Sequence, residues 1–423
     1  MLWNQLEQLG HDLNIDALKY LGQRLVGIQQ SNQSSSRLFK LLPNNEDSIE
    51  FSILREAGSD KFEMDGTLSA FQVDDAYIAD FTLFSRSLIS LRQLGQLNLN
   101  EILFSPRIQT ALGKTLVLYA EVETLYKEDQ QLSEALVVQA CGSQTLPEYC
   151  SEGKLLGCSI LEYSITMRDT ARQGHVLVLI NHAQFPAEMD VVIERLLYLF
   201  LSRHKILYTY QQANICNRRA RSVYRNLEQT VVQPFNEIAQ ASDHLTKFQE
   251  VLRTQLPQDA FQYAQCLRNL SDYVTTLDTN LANYNQKLSL LDCCSETDLA
   301  FLQRFSDLAE IKYKTQVQIY LDYLRPGQAL FQQLIDTIRG LVDVEQATND
   351  RRLGTTVQVL GVSLATGAIV GAGYGYIDKP WRRPFSTSVV HPFIAYLLWS
   401  FGIGIISGSI TYWLVKWKAK LSK

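Results

Sequence analysis

Little in this chain suggests catalysis. No HxxxH pair, no CxxC and no Gly-x-Ser-x-Gly occurs, so the spacings of a zinc-peptidase helix, a dithiol pair and a nucleophile elbow are all missing. No enzyme activity is expected. The six histidines (His11, His175, His182, His204, His244 and His391) are scattered. Cysteine is scarce and odd in number, seven in 423 residues, with one close cluster at Cys293–Cys294. That excludes a secreted disulfide framework and points to reduced thiols. Met1 to Leu9 has neither a basic n-region nor an apolar h-region, so an N-terminus kept in the cytosol is expected. Basic charge is short as well: the first 350 residues carry a net of −13. A chain-wide nucleic-acid binder would need a broadly basic face, and no nucleic-acid partner is expected.

From Arg351 onward the balance inverts, with nine Lys/Arg against one acid, Asp378. Two long uncharged runs lie in this tail, Leu353 to Ile377 (25 residues) and Pro392 to Val415 (24 residues). A helix needs about 20 apolar residues to cross a bilayer, so both runs read as transmembrane helices. Arg351 and Arg352 precede the first; Tyr412, Trp413, Lys416, Trp417 and Lys418 close the second, as interfacial anchors do. Three basic residues in the link and six on the other flanks place both termini in the cytoplasm of a bacterial inner membrane. Gly367, Gly371, Gly404 and Gly408 stand at GxxxG-type spacings, which let helices approach closely and favour self-association.

Ahead of the tail the chain is mixed. Leu2 to Ile28 has helical spacing. Strand patterns follow at Ser48–Leu54, Thr67–Val73, Tyr77–Phe84, Thr115–Val122, Ile160–Met167 and His175–Asn181, the last two as a hairpin. Helical patterns lie at Ser85–Leu97 and Gln130–Ala140. After Pro186 long helices dominate (Glu188–Val232, Ala260–Leu291, Glu296–Leu324), with a break expected at Asp322–Gly327. The resulting fold class is α+β, or mixed: an N-terminal cytosolic α/β domain (1–185), a long helical stalk (186–352), transmembrane helix 1 (353–377), an external loop (378–391), transmembrane helix 2 (392–415) and a basic cytosolic tail (416–423).

This layout resembles the CorA metal-ion transporter superfamily. The outer end of the first run reads Tyr374-Gly375-Tyr376-Ile377-Asp378. Tyr374 and Gly375 match the family's Tyr-Gly-Met-Asn signature; Tyr376 stands in the Met place and Ile377 in the Asn place. The chain also resembles uncharacterised bacterial two-span membrane proteins. The resemblance implies a pentameric ring with first spans around an axis, an outlet at Tyr374, Gly375, Tyr376 and Asp378, and magnesium as a transported or regulatory ion. Thr356, Val359, Ser363, Thr366, Val370 and Gly373 share one helical face whose hydroxyls suit a wet pore lining; close helix packing selects the same small residues. Asp343, Glu345 and Asp350 would repeat around the inner mouth beside Arg351 and Arg352, either concentrating cations or pairing across subunits.

Three weaker groupings deserve their competing explanations. Asp74, Asp75 and Asp80 could hold a regulatory divalent ion, or form a polar hairpin turn. His175 and His182 bracket a strand and suit core or surface positions better than metal ligation. Arg218, Arg219, Arg221 and Arg225 could grip a phosphate, though a solvated helix face is the plainer reading. The function expected is a homo-oligomeric ion channel or transporter in a lipid bilayer, gated by a small molecule or ion on its cytosolic domain. The alternatives are a ligand-triggered membrane-disrupting effector and a membrane-anchored scaffold without a pore.

Overall fold

A computed structural model describes residues 2–25, 38–43, 46–57, 60–98, 110–122, 129–142, 146–165, 174–183, 185–229, 245–347, 381–382 and 389–390. The fold is mixed α and β, divided into two compact units: residues 1–211 with 276–312, and residues 212–275 with 313–423.

The first unit opens with α1 (Leu2–Asp12). The single helix expected to Ile28 stops here, because Asn14 takes a left-handed conformation at φ 55°. Ile15 N–H donates to the Gly10 carbonyl at 2.7 Å and Asn14 N–H to His11 at 3.1 Å, the paired bonds of a Schellman ending. A 3-10 turn (Asp16–Leu18) and the short α2 (Leu21–Arg24) follow. They pack on a four-stranded antiparallel sheet built around β3 (Asp60–Val73), which β1 (Leu38–Lys40), β2 (Ile49–Ala57) and β4 (Ala76–Phe84) all pair. Phe62, Met64, Leu68 and Ala70 alternate on the buried face of β3, the period a half-buried strand requires. Between them Gly66 leaves room for the Phe51 ring, which a Cβ would strike, and Phe51 stacks on Phe81 at 5.5 Å. The short α3 (Leu91–Leu97) starts from a capping box in which Ser90 and Gln93 exchange hydrogen bonds, satisfying two orphan donors.

A second sheet runs in the order β5 (Lys114–Glu121), β8 (Gly174–Asn181), β7 (Cys158–Ile165), β6 (Glu148–Leu155). β7 and β8 form the expected antiparallel hairpin, and β5 lies parallel to β8. Every residue of β8 is buried, as the continuous apolar run of a strand covered on both faces should be. One face carries α4 (Asp129–Cys141), through Val137 and Cys141.

The long helices are α5 (Met189–Leu227) and α6 (Leu245–Asp292), then α7 (Ala300–Leu308), a π-helical stretch (Ala309–Lys314) and α8 (Thr315–Ala347). On α5, Leu199, Ile206, Ala213, Ala220 and Leu227 are buried at seven-residue steps; on α6, Leu256, Tyr263, Leu270, Leu277, Tyr284 and Leu291 repeat the interval. Such spacing makes a coiled-coil seam. The partners are antiparallel. In the first unit Arg195 donates to the Leu290 carbonyl at 2.7 Å and Lys287 sits over the Tyr198 ring; in the second, Cys216 meets Cys266 and Asn226 donates to Asp259. The α7–α8 stretch keeps the same interval with one slip: Leu302 and Ala309, where the π turn begins, are followed by Val317, Leu324 and Phe331 beyond it.

The break expected at Asp322–Gly327 does not occur, and α8 runs through Pro326. Proline removes the N–H that would reach Asp322, but Asp322 and Pro326 are both exposed, so water can satisfy the released carbonyl.

The transmembrane expectation is corrected. Among the described residues no helix is long and apolar enough to cross a membrane. The long helices are charged instead: α8 has Asp322, Arg325, Asp336 and Arg339 within 18 positions, where a spanning helix tolerates almost none. The segments 353–377 and 392–415 lie outside the described residues. Within the expected loop, Trp381–Arg382 pairs antiparallel with Val389–Val390.

Candidate functional site

A cavity of about 920 Å³ opens in the first unit where α4 begins beside β6 and β7. Its wall carries four carboxylates (Asp129, Glu134, Glu152 and Asp298) against one lysine, Lys154, with His182 beside them. His182 is placed by the turn after β8: the Asn181 side chain accepts the Ala183 N–H at 3.0 Å, and His182 Nε2 then meets Asp129 Oδ1 at 2.8 Å. Clustered carboxylates with low-dielectric walls focus a negative potential into such a cleft.

One wall belongs to the link between α6 and α7. Lys154 N–H donates to the Asp298 carbonyl and Asp298 N–H returns the bond to Lys154, each at 2.8 Å. Gly157 N–H reaches the Glu296 carbonyl at 3.1 Å, and Leu156 N–H the Thr297 hydroxyl at 3.3 Å. Leu156 and Gly157 both have positive φ, 53° and 79°, the conformation of a two-residue hairpin turn. The connector thus covers β6, an otherwise open sheet edge. Gly153 permits the approach, since a Cβ there would collide with the Asp298 carbonyl.

Behind the sheet lies a buried polar network. Glu162 on β7 faces His175 Nε2 at 3.0 Å and accepts from the Arg203 guanidinium at 3.3 Å and from Ser151 at 2.8 Å. The carboxylate can only accept, which fixes the proton on His175 Nε2. Thr115 Oγ1 then lies 3.4 Å from His175 Nδ1 and 2.8 Å from His204 Nε2. Arg203 also covers the Phe305 ring at 4.6 Å. Burial pushes the His175 imidazole down to about 4, with the Arg203 cation adding and Glu162 opposing. Burial, helped by Arg203 and His175, holds His204 well below its ordinary value. For Glu162 burial works upward, but the His175 and Ser151 hydrogen bonds and the Arg203 charge outweigh it and keep the carboxyl low. The network holds no exposed nucleophile and has the character of a rigid core linkage among β7, β8 and α5.

The residues weighed from sequence separate. Asp74 and Asp75 form the two-residue turn between β3 and β4, and Asp75 pairs with Lys205 at 2.5 Å. Asp80 sits on β4, its carboxyl raised by burial and partly offset by a hydrogen bond from Thr82. Among the described residues no group of three or more His, Cys, Asp or Glu is placed to hold a metal ion. Arg218, Arg219, Arg221 and Arg225 are exposed along α5, with Arg221 over the Tyr323 ring. Asp343 and Glu345 fall in the final turns of α8. Asp350, Arg351, Arg352, the 356–378 face and outlet, Gly404 and Gly408 lie outside the described residues. Sequence reasoning missed Glu134, Glu152 and Asp298 of the cavity and Glu162 and Arg203 of the buried network, residues that stand on separate elements and meet only in the fold.

No family model, no curated protein and no solved structure matches the chain.

Proposed function

We propose that this protein is a non-catalytic sensor that passes ligand occupancy from its α/β body into its long helices. The observation that supports this is the double role of Asp298: it lines the acidic cavity and, from the connector that ends α6 and starts α7, is bonded through its backbone to Lys154 of β6. A ligand filling the cavity presses on that connector. The excess of carboxylates selects a small organic polycation, with several ammonium groups matched to several acids. The basic, apolar segment from Arg351 onward is the output end, and its composition suits attraction to an anionic lipid surface.

The reading is tested on the full-length protein with spermidine as probe. Titration calorimetry should show binding that weakens by about tenfold or more in a Glu134→Gln/Glu152→Gln variant, as loss of two charge contacts implies. Hydrogen exchange should slow across residues 293–299 on binding. Absence of heat and of protection at millimolar spermidine would refute it.

A further inference from the structure

The seam between α5 and α6 holds a pair of thiols that the sensor reading does not use. Cys216 and Cys266 are buried, 7% and 3% exposed, and both are reduced. Cys216 Sγ donates to the Cys266 carbonyl at 3.3 Å. The contact sets the two thiols on facing sides of the seam, and the Arg219 charge acts on both. They sit on opposed faces of antiparallel helices whose small neighbours Ala213 and Ala220 are fully buried, so the backbones approach closely at this level. The other cysteines differ: Cys141 and Cys158 are buried in the second sheet region, and Cys150, Cys293 and Cys294 are surface or near-surface groups.

We propose that Cys216 and Cys266 form a reversible redox site, closed to an inter-helix disulfide by hydrogen peroxide. Cys266 is the attacking member: the Cys216 thiol beside it and the Arg219 cation lower its thiol against burial, while Cys216 is pushed up. A thiolate, not a thiol, is the nucleophile. The Cys266 sulfur attacks one peroxide oxygen, the O–O bond breaks, and the departing hydroxide takes a proton to become water. Cys266 is then a sulfenic acid. The Cys216 sulfur attacks the Cys266 sulfur, an S–S bond forms, the S–O bond breaks, and the hydroxyl leaves as a second water with the Cys216 proton. Two thiols lose two electrons, and one peroxide is reduced to two waters. A dithiol reductant reverses the change by exchange. The bridge would pin α5 to α6 within the second unit and stop the two helices sliding.

The test uses the full-length reduced protein. It is treated with one equivalent of hydrogen peroxide, alkylated, digested with trypsin and mapped by mass spectrometry. The expected result is a linked peptide pair joining Cys216 to Cys266 as the main cross-link, lost after dithiothreitol, with amide exchange across 256–270 slowed by about tenfold in the oxidised protein. In a Cys216→Ser variant Cys266 has no resolving partner, and dimedone should label it. Recovery of both cysteines alkylated in the wild type, while Cys293–Cys294 or Cys150 carries the oxidation, overturns the proposal.

Discussion

Replacing His175 with glutamine offers a direct reading of the buried network. In the folded chain the imidazole, pressed by burial and by Arg203, titrates at about 4, against about 6.5 when unfolded. A base whose folded value is lowered favours the neutral form. Its stabilisation is therefore complete above about pH 6.5 and is lost as the pH falls toward 4. A shift of this size is worth about 3 kcal/mol at pH 4. The group is fully enclosed, so solvent screening does not reduce it. Glutamine keeps an N–H for Glu162 and does not titrate. His204, lowered chiefly by burial, and the Glu162–Arg203 pair remain in both proteins, so the larger part of their contribution, which does not come from His175, cancels in the difference. The measurement is hydrogen exchange at β8 amides between pH 7.5 and 4, corrected for intrinsic chemistry and converted to opening free energy. The gap between wild type and His175→Gln should change by about 3 kcal/mol in favour of the variant as the pH falls. Parallel pH profiles would show that His175 is not held neutral by its surroundings, and the network as drawn would be wrong.

Two further substitutions probe close approaches. Gly66→Val drives a branched side chain into the Phe51 ring and the Leu83 methyls; overpacking of this kind costs about 1–3 kcal/mol, to be seen as a lower urea midpoint at unchanged slope. Gly153→Ala sets a methyl against the Asp298 carbonyl and Phe301. It should weaken the Lys154–Asp298 bonds, raise exchange across 293–299, and reduce the spermidine response even though no acidic residue is changed.

The parts of this fold that were legible in the sequence are those where one interaction dominates a short stretch. β4, β5, β7 and β8 show alternating or continuous apolar residues, and each was placed to within about two residues. β6 was not, because Glu148–Leu155 is mostly exposed and its partner edge is the distant connector. The Ser90–Gln93 box sets the start of α3 at Leu91, six residues inside the expected Ser85. Asn14 ends α1 and Tyr20 caps the start of α2, both through left-handed backbone, a choice that an apolar repeat of leucines masks. Pro326 misled in the opposite direction: its lost bond falls on the exposed side of α8, where water can reach the released carbonyl, and exposure is a tertiary property. The cavity was illegible for the same reason. Asp129, Glu152 and Asp298 are separated by 23 and 146 positions, and nothing local announces that they converge.

The π turn at Ala309–Lys314 has a consequence for how this chain tolerates change in length. Upstream and downstream, inward positions keep a common ruler, but the interval from Ala309 to Val317 is one residue longer than the rest. A wide turn of this type absorbs one surplus residue, and Ile311, 74% exposed, marks its outer side. Removing one residue between 310 and 314 would let the segment relax into ordinary α-helix with both flanking stripes still in phase. The same deletion within α8 itself would rotate every later inward residue by about a hundred degrees.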